Sequence, residues 1–105
     1  MPRFDVFVNP GKLRDSVPYV LDVQSDHLAG LATRIVVPLR RRDRFPAVQL
    51  PEDLIPVFEI GHMMVMMDTP ALAAVPRSEL GTPVSSLAVS QSEILAALDR
   101  LFGAF

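Results

Sequence analysis

Apolar and polar residues alternate along the first three quarters of the chain, and a helical period then takes over. Phe4, Val6 and Val8 alternate with Asp5 and Phe7, the spacing of a strand. Asn9-Pro10-Gly11 ends it with turn chemistry. Residues 18–24, PYVLDVQ, predict a second strand with Tyr19, Leu21 and Val23 on one face and Val20, Asp22 and Gln24 on the other. Ser25-Asp26 opens one helical turn that closes near Gly30. Thr33 to Leu39, TRIVVPL, is β-branched and mostly apolar, the mark of a strand buried on both faces. Pro38 near its end fits only an edge or a bulge. Residues 40–53 read as a loop of arginines, then prolines at 46 and 51. Residues 54–60 and 63–68 predict two strands around Gly61-His62, a hairpin signal with Gly first. Leu72 to Val75 makes another short strand, or a turn of helix, between Pro70 and Pro76.

The last segment changes period. Ser90-Gln91-Ser92-Glu93 has the form of a capping box, with a hydroxyl at the N-cap and a carboxylate three residues on. Ile94, Leu98, Leu101 and Phe105 then form one stripe of a helix, and Gly103 stands where that helix should end. The pattern predicts a mainly β protein of roughly five to seven short antiparallel strands closed by one C-terminal helix. It finishes on RLFGAF, an apolar stub. Such a stub serves either as a helix end tucked into the chain's own core or as a plug for a partner.

Composition narrows the function. The 105 residues suffice for one domain, expected over 1–105. Half are hydrophobic and 21% are charged, which leaves apolar surface for a homodimer interface. A net charge of −2 argues against coating nucleic acid or an acidic membrane. With no cysteine, disulfides, thiolate nucleophiles and cysteine-based metal sites are excluded. No apolar run approaches the roughly 20 residues of a membrane helix. MPRFDVFVNP lacks the apolar core of a signal peptide, so a cytoplasmic protein is expected. The ten prolines forbid long helices in the first three quarters.

No catalytic set stands out. His27 follows Ser25 and Asp26, but a Ser–His–Asp site needs convergence in space, which adjacency seldom provides. His62 reads as a solvated turn residue, and Asp22, Glu59 and Asp68 as solvated strand faces. Nothing has metal-ligand spacing, the glycines stand singly, and no cofactor is expected. Arg40, Arg41, Arg42 and Arg44 gather in one segment, able to grip an acidic peptide or phosphates, or simply to blunt a sheet edge. With only Phe45 among them, a base-stacking surface is unsupported. Met63, Met64, Met66 and Met67 should point two inward and two outward, the inner pair against the terminal helix. A binding protein is favoured over an enzyme.

The order and spacing of several segments resemble the CcdB family, the toxin halves of toxin–antitoxin pairs. They are Phe4 and Val6, Tyr19 to Asp26 with its DVQSD stretch, Arg34 to Leu39, Pro56 to Ile60, the Met-rich strand, and Val75-Pro76. The resemblance implies an SH3-like antiparallel barrel, as in the CcdB and MazF toxins, assembled as a two-fold homodimer. It also implies binding to the DNA gyrase A subunit, trapping of that enzyme on cleaved DNA, and release by a cognate CcdA-like antitoxin whose disordered C-terminal segment wraps the toxin.

By position, the gyrase contact would be His27 and Leu28 from the turn after the second strand, with Asp99, Phe102, Gly103, Ala104 and Phe105 from the helix end. Family members close on an aromatic–Gly–Ile type of ending. Aligned without a gap, this chain has Gly103 at the aromatic place, Ala104 at the glycine and Phe105 at the end. A one-residue gap instead puts Phe102 and Gly103 at the first two. The antitoxin would meet the loop carrying Asn9, Lys12 and Arg14 together with Arg40, Arg41, Arg42 and Arg44. The helix and the Met strand are expected to build the dimer interface. Two other functions fit the same barrel: an inactive or retargeted homologue that keeps dimer and antitoxin binding, and an endoribonuclease like the MazF and Kid toxins.

Overall fold

A computed structural model describes residues 2–28, 30–44 and 51–103. Among them seven strands join into one antiparallel sheet: β1 Asp5–Val8, β2 Tyr19–Asp22, β3 Thr33–Arg41, β4 Val57–Ile60, β5 Met63–Met67, β6 Ala73–Pro76 and β7 Ser85–Ser86. The order is β4-β5-β3-β2-β1-β7, with β6 paired to the first half of β3. The sheet curls into a nearly closed barrel, and the helix α1, Gln91–Phe102, packs against it.

The division of β3 explains its proline. Thr33–Val36 pair with β6 and Leu39–Arg41 with β5, both on the edge opposite β2. Pro38 lies between the two ladders. Its carbonyl accepts the Asp68 N–H on that edge at 3.0 Å, and N and O of a strand residue face the same way. The N–H that proline lacks is therefore missing where no ladder bond is required. Gly61 opens the β4–β5 hairpin at φ 61°, a left-handed conformation that glycine adopts without strain.

Alternation places two cores on the two sides of the sheet. Val6, Leu21, Val37, Leu39, Val65 and Met67 face the larger one, with Ile94 and Ala97 of α1. Phe7, Val20, Val36 and Leu80 form a smaller one behind it. The methionines divide as their spacing predicts: Met67 is buried and Met63 packs on the larger core, whereas Met64 is exposed and Met66 half-buried. Phe4 enters β1 at φ 73°, a strained conformation for a bulky side chain. Its N–H donates to Asp22 O at 2.7 Å and its carbonyl accepts from Leu87 at 2.9 Å, so both neighbours hold it there.

Three expectations need correction. Arg40 and Arg41 belong to β3, because pairing with Met66 and Val65 carries the strand through them; the loop starts later. The capping box does not form. A 3-10 turn, Ala88–Ser90, runs straight into α1, and Ser90 at φ −105°, ψ 19° makes no side-chain cap bond. Asp22 and Asp68 are not solvated: Asp22 is fully buried against Arg34, and Asp68 is largely covered beside Arg40. The expectations that fall on 45–50, 104 and 105 lie outside the described residues.

Candidate functional site

The turn after β2 is a 3-10 turn, Asp26–Leu28, built by short-range hydrogen bonds. The His27 amide donates to Ser25 Oγ at 3.2 Å and the Leu28 amide to Ser25 O at 3.0 Å. Asp26 Oδ1 accepts the Arg3 amide at 2.8 Å. Gln24 Nε2 donates to Leu28 O at 3.2 Å. His27 and Leu28 are exposed. An open groove of about 400 Å³ beside them is lined by Arg3, Phe4, Ser25, Asp26, His27, Ala88 and Gln91. Ser25 and Asp26 shape the turn through these bonds, and no side-chain hydrogen bond joins them to the His27 ring.

Beneath this turn lies the one buried ion pair of the described residues. Arg34 Nη2 stands 2.7 Å from Asp22 Oδ2, and neither side chain has any solvent exposure. Arg34 Nε donates to the same oxygen at 2.8 Å, and the Gln24 amide donates to Asp22 Oδ1 at 3.0 Å. Burial pushes the Asp22 carboxyl above its ordinary range, against the opposing pull of its bonds to Arg34 and Gln24. Sequence reasoning missed this pair. The signal was there: an arginine inside a strand read as buried on both faces demands a buried anion.

At the far end of α1, Gly103 takes the left-handed conformation, φ 70°, ψ 38°, and its N–H bonds Asp99 O. Asp99 is exposed, and Phe102 is 70% exposed. The helix therefore buries Ile94 and Ala97 and turns Phe102 to solvent. Ala104 and Phe105 lie outside the described residues. The turn and the helix end are not drawn into one patch by the groove: its helix residue is Gln91, and Phe102 lies eleven residues further, roughly 16 Å along the axis.

The arginine segment and the loop after β1 lie side by side. The Arg41 amide donates to Ser16 O at 2.8 Å and Arg44 Nη1 reaches Asp15 Oδ2 at 3.0 Å. Most of their charge is already answered within the chain. Arg40 pairs with Asp68 at 2.6 Å, and Arg41 grips Asp43 with two nitrogens at 3.1 and 2.8 Å. Arg14 Nε bonds Asn9 O, while the Asn9 side chain bonds Val17 O and the Gly11 amide, so Asn9 serves its own loop. Among the described residues Lys12 and Arg42 have no ion-pair partner. Arg42 and exposed Met64 border two grooves. One, about 650 Å³, continues over Arg41, Asp43, His62 and Met63. The other, about 430 Å³, runs over Ile55, Pro56, Val57, Glu52 and Glu93.

Among the described residues no three His, Asp or Glu side chains gather as a metal site, and no helix is long and apolar enough to cross a membrane. The described surface carries an exposed aromatic tip, an exposed turn and a methionine–arginine ridge between two grooves. The family model for the CcdB protein matches residues 3–103 of this 105-residue chain. No curated protein gives a significant match. The chain belongs to the CcdB family, the toxins of toxin–antitoxin systems.

Proposed function

We propose that this chain is a cytoplasmic, homodimeric toxin that acts by binding the DNA gyrase A subunit and trapping its cleaved complex with DNA, without catalysis of its own. The observation that carries this reading is Phe102, 70% exposed at the end of a helix that packs on the core through Ile94 and Ala97. An aromatic ring left in water forgoes about 1.5–3 kcal/mol of burial, which a partner's apolar groove can recover. Left-handed Gly103 favours the alignment in which Phe102 holds the family's aromatic place and Gly103 its glycine. Two copies are required because the turn and the helix end of one protomer lie apart; a two-fold axis can present both sets to a symmetric target.

In the same reading, a cognate CcdA-like antitoxin carries an acidic, partly apolar segment that docks along the Arg42–Met64 ridge. Lys12, in the loop after β1, supplies a second cation with no ion-pair partner among the described residues. The self-paired Arg40, Arg41 and Arg44 contribute shape more than charge. Direct nucleic-acid binding has no support in this charge pattern.

The test is a gyrase supercoiling and cleavage assay with the wild-type chain beside Phe102→Ala. Cleaved complex formed by the wild type and lost in the variant supports the reading. A folded wild-type dimer that leaves gyrase untouched overturns it and points to a retargeted homologue.

A further inference from the structure

We propose that Gln24 is the positioning residue that sets the His27–Leu28 turn for its partner; this rests on the reading of that turn as a gyrase contact. The 3-10 turn Asp26–Leu28 has no buried residue, so packing does not fix it. Hydrogen bonds must: the Arg3 amide holds Asp26 at 2.8 Å, and the bond that reaches the turn from the core comes from Gln24, which is 6% exposed. Every polar group of Gln24 is engaged. Its Nε2 donates to Leu28 O at 3.2 Å, and its Oε1 accepts the Ile35 amide of β3 at 3.0 Å. Its own amide donates to Asp22 Oδ1 at 3.0 Å, and its carbonyl accepts from Arg34 Nη2 at 3.3 Å. The Asp22–Arg34 pair thus acts as a rigid seat for the backbone of Gln24, and the side chain is a strut from β3 to the turn. Leu28 hands the constraint on, since its carbonyl also accepts the Leu31 amide at 3.1 Å.

The strut explains a glutamine at a position two residues beyond β2 that any polar residue could have filled. A glutamine amide accepts from one backbone through its oxygen and donates to another through its nitrogen at that reach. Methionine has nearly the same shape and offers neither bond. Glutamate keeps the acceptor for Ile35, loses the amide donor to Leu28 and sets a carboxylate oxygen against that carbonyl.

Hydrogen exchange on the intact protein, together with calorimetric titration of a gyrase A fragment, tests the proposal in Gln24→Met and Gln24→Glu. Loss of one buried partner predicts about a tenfold effect. The amides of Leu28 and Leu31 should exchange about tenfold faster in both variants, while those of Val37 and Leu39 keep their protection. Affinity for gyrase should fall about tenfold. A core-destabilised control, Val37→Ala, should lose stability yet bind as the wild type, which separates positioning from general loss of fold. Should methionine prevent folding, the glutamate variant, which retains the bond to β3, decides. Unchanged exchange at Leu28 and Leu31 in a folded variant overturns the strut. Faster exchange with undiminished binding overturns its role in recognition. A wild type that does not bind gyrase overturns the functional reading and the recognition role with it, while the exchange data still decide whether Gln24 sets the turn.

Discussion

The guanidinium of Arg34 meets the carboxylate of Asp22 at 2.7 Å, with both side chains wholly out of solvent. The two sit diagonally on one face of the β2–β3 ladder, where Asp22 pairs with Val36 and Arg34 is two residues further along β3. Removing one partner leaves a buried charge, at a cost of about 3–5 kcal/mol. Asp22→Ala should therefore lower the unfolding free energy by that amount in urea titration. Asp22→Leu combined with Arg34→Met should recover most of it.

Asp5, nearly buried in β1, predicts a pH dependence. Burial and the nearby negative charge of Asp26 raise its carboxyl above the ordinary 3.8. A carboxyl that holds its proton more tightly in the folded state stabilises fully below that ordinary value and loses the effect as pH rises through the folded-state value. Asp5→Asn should therefore gain stability relative to the wild type between acid and neutral pH, read from urea midpoints across that range. A difference independent of pH would refute the assignment.

Phe102 and Ile94 should separate binding from stability on one helix. Phe102 is largely exposed and Ile94 fully buried. Phe102→Ala should change the unfolding free energy by less than about 0.5 kcal/mol and abolish gyrase binding. Ile94→Ala should cost about 2–5 kcal/mol and leave affinity intact wherever the protein is folded.

Charge reversal along the arginine segment should be unequal. Arg41 is gripped by Asp43, whereas Arg42 borders both grooves without an ion-pair partner among the described residues. Arg42→Glu should weaken antitoxin binding about tenfold, with a flatter salt dependence, and Arg41→Glu distinctly less. Neither should move the affinity for gyrase.

How much could be read beforehand follows from which forces are local. Strands β1 to β6, the Gly61 hairpin and α1 were legible because alternation, turn chemistry and helical period are each written within a few residues. The two-residue strand β7 was not, since Ser85-Ser86 has no pattern of its own and forms only because β1 offers an edge. Asp22 looked solvated because alternation places it opposite Leu21. The second core of Phe7, Val20, Val36 and Leu80, drawn from four distant segments, covers that face. The arginines looked like one basic patch because their carboxylate partners Asp15 and Asp68 lie far off in sequence. Of the candidate site, the exposed turn and helix end were legible, and the buried support under the turn was not.

The pairing of β1 with β7 sets an order of events. Asp5 meets Ser86, and α1, which fills the larger core with Ile94 and Ala97, follows later still. The barrel's closing seam joins segments far apart in the sequence, a contact that is slow to form. A nascent chain that has not yet reached β7 and α1 has no seam, no plugged core and no aromatic tip. Residues through Ser86 must therefore be in place before the seam can close, and residues through Phe102 before that ring stands at the end of its helix.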